Sequence, residues 1–104
     1  MSSQPVIRGS YTLASPQTVS VAATGSATVS ISFTPQGAGS LYVYITLPTG
    51  VTATISIGAQ TVSLSSGSNQ FLIPANVAIG NVTINNSGAT AESVVVWALF
   101  IEVA

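Results

Sequence analysis

The sequence predicts an all-β protein, a single antiparallel β-sandwich of eight or nine short strands, and three observations carry that prediction. Apolar and polar residues alternate with a period of two along most of the chain. No stretch shows the three-to-four-residue apolar spacing of an amphipathic helix. Clusters of Gly, Pro, Ser and Asn interrupt the alternation at short intervals, as turns between strands do.

Taken in order, the first runs are VIRGSYTL and QTVSVAA, parted by Ser15-Pro16. In TVSISF, Val29, Ile31 and Phe33 share one face while Thr28, Ser30 and Ser32 share the other, the pattern of a half-buried strand. SLYVYITL sends Leu41, Val43, Ile45 and Leu47 inward, which leaves Tyr42 and Tyr44 together on the outside. Pro48-Thr49-Gly50 turns the chain into VTATISI, whose inward set is Val51, Ala53, Ile55 and Ile57. QTVSL, QFLIP and NVTIN follow as shorter runs. The last is ESVVVWALFIEV, residues 92–103, apolar on both faces between Glu92 and Glu102. A count near eight favours a jelly roll over an immunoglobulin-like Greek key, and strand order is not encoded in periodicity.

With 104 residues and 47% hydrophobic content, the chain fills one domain, residues 1–104, with residues 1–5 a candidate N-terminal arm. Charge is nearly absent. Arg8, Glu92 and Glu102 make up the charged 3%, against about 25% in ordinary soluble domains. Hydroxyls and amides keep such a surface hydrated but give copies little reason to repel, so self-association is expected. One cation cannot neutralise the several phosphates that nucleic-acid binding requires, and an apolar run of eight residues is too short for the roughly 20 of a membrane-spanning helix. Neither nucleic acid nor membrane insertion is expected. The opening MSSQPVIRGS lacks the basic and apolar regions of a secretion leader.

Few titrating side chains also leave few routes by which protonation alters stability. The thermal midpoint should therefore move little between about pH 2 and pH 8. Melts across that range check this, and a steep loss in acid would mean that Glu92 or Glu102 is strongly coupled to the fold.

The chain has no His, Cys, Asp or Lys, which removes the serine triad, thiol nucleophiles, Schiff-base lysines and nitrogen or sulfur metal sites. Catalytic residues, metal and cofactors are all expected to be none. Glu92 and Glu102 would stand about 33 Å apart along an extended strand, well beyond the roughly 5 to 9.5 Å of a glycosidase pair.

Binding is the remaining class. Tyr42 and Tyr44 are candidates to stack on a sugar or a neighbouring subunit, or to pack across strands. Asn81 and Asn85 head Asn-X-Thr/Ser triplets and are candidate glycosylation sites, a pattern that also arises by chance in a chain rich in Asn, Ser and Thr. In residues 92–103, the larger set Val95, Trp97, Leu99, Ile101 and Val103 is expected to be core. Val94, Val96, Ala98 and Phe100, ringed by the two glutamates, then form a candidate interface for a neighbouring subunit. A thicker domain or the N-terminal arm would cover the same face.

The stretch TGSATVSISFTPQGAGSLYVYITLPTGVTATISIG resembles small β-sandwich proteins of virus capsids, including minor capsid and decoration proteins of viruses from hot, acidic habitats, archaeal viruses among them. It is also similar to immunoglobulin-like repeats of archaeal cell-surface proteins and pilus subunits. The first resemblance implies a non-enzymatic structural protein of the virion, with copies of itself or other shell proteins as partners. An extracellular pilus or surface-layer subunit is the alternative, and a carbohydrate-binding module the third.

Overall fold

The computed structural model describes residues 7–103; the expected arm at residues 1–5 lies outside them. The strands are β1 (Ile7–Val21), β2 (Ser26–Val29), β3 (Gly39–Ile45), β4 (Val51–Ile57), β5 (Gln60–Leu64), β6 (Gly67–Ile73), β7 (Ile79–Asn86) and β8 (Glu92–Val103). They form two antiparallel four-stranded sheets, ordered β1-β8-β3-β6 and β2-β7-β4-β5. Every connection crosses between the sheets except the β4–β5 hairpin, and the first strand pairs with the last. This is the jelly-roll arrangement.

Eight strands appear where nine runs were read, because the first two are one strand. β1 passes through Ser15-Pro16 by shifting register against β8 between Thr12 and Ala14 and again between Ala14 and Gln17. A sheet edge tolerates this, since bulges absorb the extra residues and the missing proline N–H faces no neighbour. TVSISF is shorter as a strand than its alternation suggested. β2 ends at Val29, Phe33 makes only an isolated bridge to Ile79, and the Ile31 N–H donates to the Asn81 side chain instead (3.1 Å).

Turn chemistry follows the sequence. The Val51 N–H donates to the Pro48 carbonyl, with Gly50 at φ 86°, a conformation costly for residues bearing a Cβ. Gly58, at φ 59°, opens the two-residue turn between Ile57 and Gln60. Asn86, 3% exposed, holds the β7–β8 connection to the end of β1. Its amide donates to the carbonyls of Thr90 (2.8 Å) and Val21 (3.3 Å), and its Oδ1 accepts from the Gly88 N–H (2.9 Å). Asn86→Ala strands all three groups and should cost about 1 to 3 kcal/mol, measurable by denaturant melts.

The core is built from Leu41, Val43 and Ile45 of β3, Val51, Ala53 and Ile55 of β4, and Val82 and Ile84 of β7, all at most 5% exposed, with Leu47 and Ile57 half-buried at its margin. The faces of β8 are the reverse of the sequence expectation. Val94, Val96, Ala98 and Phe100 are all 0% exposed and belong to the core, so the interface assigned to them is corrected. Register dictates this. Phe100, Ala98 and Val96 lie opposite Leu41, Val43 and Ile45, and cross-strand partners share a face. The glutamates misled because they sit at the ends of the strand, past the core, where side-chain parity no longer decides burial. Glu102 is half-buried there and accepts from the Gly37 N–H (3.2 Å).

Phe100 closes one end of the sandwich with Tyr11 and Phe33, ring centroids 6.4 and 5.7 Å away. Gly39 makes room for it, since a Cβ there would come within 2.6 Å of the ring.

Candidate functional site

Once the inner faces are spent on the core, function falls to the outer faces, and these differ sharply. The outer side of β2-β7-β4-β5 carries Ser26, Thr28, Asn81, Thr83, Asn85, Thr52, Thr54, Ser56, Thr61 and Ser63, a surface of hydroxyls and amides only. The outer side of β1-β8-β3-β6 presents Val95, Trp97, Leu99 and Ile101 along β8, with Tyr42 and Tyr44 beside them on β3.

Register assembles this patch. Tyr44 lies opposite Trp97, and their rings stack at 5.9 Å and 11°. Tyr42 lies opposite Leu99 and accepts a long hydrogen bond from the Gln70 amide on β6 (3.4 Å). Val95, 38% exposed, has Thr18 on one side, and its backbone exchanges bonds with Thr46 on the other, the Val95 N–H donating to the threonine Oγ1 (2.9 Å). Ser10 and Thr12 of β1 flank Ile101 and Leu99. The result is an apolar, aromatic stripe rimmed by hydroxyls, with neither glutamate on its face. A contiguous apolar patch of this kind marks a contact surface more often than scattered exposed residues do. Burying about 300 Å² of it would contribute on the order of 7 kcal/mol before the costs of association.

Of the residues singled out by sequence, Tyr42 and Tyr44 stand on this outer face. They are joined there by the half of β8 read as core, Val95, Trp97, Leu99 and Ile101. A sequence signal for that half existed in Trp97 itself. Tryptophan is seldom fully buried, and its indole N–H needs a partner that an aliphatic core lacks. Asn81 and Asn85 are exposed on the central strand β7 of the hydroxyl face, and the Asn81 Oδ1 is committed to the Ile31 N–H. Glu92 and Glu102 lie at opposite ends of one unbroken strand.

Clefts indent the surface. One, of about 700 Å³, runs between the β4–β5 hairpin and β6 and is lined by Ile57, Val62, Phe71, Leu72, Pro74 and Val77 among others. A second lies beside Tyr11, Phe33 and Glu102, and a third beside Gly39, Leu72 and Val103. None of the three is lined by Tyr42 or Tyr44.

No protein-family model and no curated protein matches the chain. Among solved structures it is similar to FLHE, at 15% identity over 91% of this chain and 94% of that one, with a TM-score of 0.57. It is also similar to PliG of Aeromonas hydrophila, a periplasmic inhibitor of g-type lysozyme, at 12% identity over 89% and 88% of the two chains and a TM-score of 0.51. The C-terminal domain of a structural protein from Sulfolobus turreted icosahedral virus aligns at 20% identity over 90% of this chain and 99% of its own length, with a TM-score of 0.49. At such identities the likeness to FLHE and PliG is one of fold.

Proposed function

We propose that the chain is a non-enzymatic structural subunit of a virus particle, a capsid, minor capsid or decoration protein that packs against copies of itself or other shell proteins. The observation that carries this reading is the contrast between the two outer faces: one wholly hydroxyl and amide, the other a stripe of Val95, Trp97, Leu99 and Ile101 capped by stacked Tyr44. A slab of this kind has one side suited to water and one suited to a neighbour. The scarcity of charge agrees with close packing of many copies, because little on the surface drives them apart.

The other two readings draw less support from the geometry. A pilus subunit joined by strand donation offers a detached terminal strand to its neighbour, whereas among the described residues the first and last strands, β1 and β8, pair with each other inside the domain. A sugar-binding module would set Tyr42 and Tyr44 in a concave site, whereas both rings lie on a sheet face and line none of the clefts described above.

Cryo-electron microscopy and mass spectrometry of particles purified from the native source test the proposal. The expected result is the chain at many copies per particle, its Trp97 face against a neighbour. Particles that lack it, or that carry it with Trp97 facing solvent, would overturn the reading.

A further inference from the structure

The two sheets have four edges, and they are unequally protected. β1 is broken by register shifts and contains Pro16, β2 has four residues, and β5 has five. β6 has seven, pairs with β3 in unbroken register, and holds no proline or charge. Natural edge strands are usually blunted by such devices, and β6 has none of them.

The Thr46 N–H donates to Val95 of β8, so by alternation the backbone groups of Tyr44, Tyr42 and Ser40 face β8 and those of Ile45, Val43 and Leu41 face β6. The Asn69 side chain reaching the Val43 carbonyl agrees with this (3.3 Å). Asn69 and Phe71, opposite Val43 and Leu41, therefore spend their backbone groups on β3, and those of Ser68, Gln70 and Leu72 face the open edge.

We propose that this edge pairs with β6 of a second copy, antiparallel about a two-fold axis through Gln70, joining the two β1-β8-β3-β6 sheets into one continuous sheet. In this register Gln70 meets Gln70 of the other copy and Ser68 meets Leu72. Each opposed pair exchanges two backbone bonds, about six in all. The strand is complementary to itself in hydrogen bonding and, being uncharged, meets no Coulomb penalty. Leu72, 81% exposed in the single chain, gains neighbours across the axis. Phe71 of the second copy falls opposite Asn69, over the apolar groove between β6 and the β4–β5 hairpin. This contact is separate from the Trp97 face and does not depend on it.

Sedimentation velocity in a Trp97→Ser background isolates the edge contact, with circular dichroism reporting the fold. Dimers should persist there. Gln70→Lys and Gln70→Glu should each weaken dimerisation by about fivefold at low salt, because like charges meet on the axis. An equimolar mixture of the two should recover it. Gln70→Pro should abolish it while sparing the β3 ladder, since that N–H faces outward. As a readout independent of these, Gln70→Cys, in a chain with no other cysteine, should form a disulfide-linked dimer on mild oxidation, opposed residues lying about 5.5 Å apart. Charge variants that dimerise like their parent, a mixture without recovery, or failure to cross-link would overturn the proposal. Loss of the virion assignment alone would leave these dimers unchanged.

Discussion

Phe100→Ala is expected to destabilise the subunit by about 3 to 5 kcal/mol, the range for truncating a buried aromatic ring. The ring is fully buried, packs against Tyr11 and Phe33, and lies over Gly39, which has no Cβ to fill the vacated space. Collapse around the hole is opposed because β8 is paired on both sides, with β1 and with β3. Stability of a domain this size is on the order of 5 to 10 kcal/mol, so the variant should sit near the edge of folding. Chemical denaturation of wild type and variant gives the difference. A cost below about 1 kcal/mol would mean that this ring is not part of the core.

Trp97→Ser should do the opposite: leave the fold and remove assembly through the Trp97 face, without touching the β6 edge. The indole is half-buried and its stacking on Tyr44 contributes about 1 kcal/mol to the subunit, so circular dichroism should show a native spectrum and a slightly lower midpoint. At a contact, a central tryptophan typically accounts for 2 kcal/mol or more, which is about thirtyfold in affinity. Light scattering or sedimentation over a concentration series should show assembly beyond the β6-edge dimer at that much higher concentration. An unfolded Trp97→Ser beside a stable Phe100→Ala would reverse the faces of β8.

Most of the architecture was legible because alternation settles burial wherever one face is polar. The inward sets of β3 and β4 fell into place because Tyr42, Tyr44, Thr52, Thr54 and Ser56 marked the opposite side. β8 offers no such contrast at its centre, since Val94 to Ile101 is apolar at every position. Only pairing with β3, a contact between residues some 55 apart, decides which half faces in. The candidate patch was legible in part for the same reason. Its tyrosines lie on a strand with a clear pattern, and its aliphatic and indole members lie on one without. Ser15-Pro16 failed as a boundary because a bulged edge passes through residues that would end a central strand.

The hydroxyl rim around the Trp97 stripe has a consequence for any neighbour that would pack on that face. With neither glutamate on that face, raising ionic strength has little to weaken, and salts excluded from protein surfaces strengthen the contact instead. Apolar association loses its driving force on cooling. Particles joined through this face would therefore loosen in the cold and hold together when warmed, with temperature as the lever that salt supplies in shells sealed by charge.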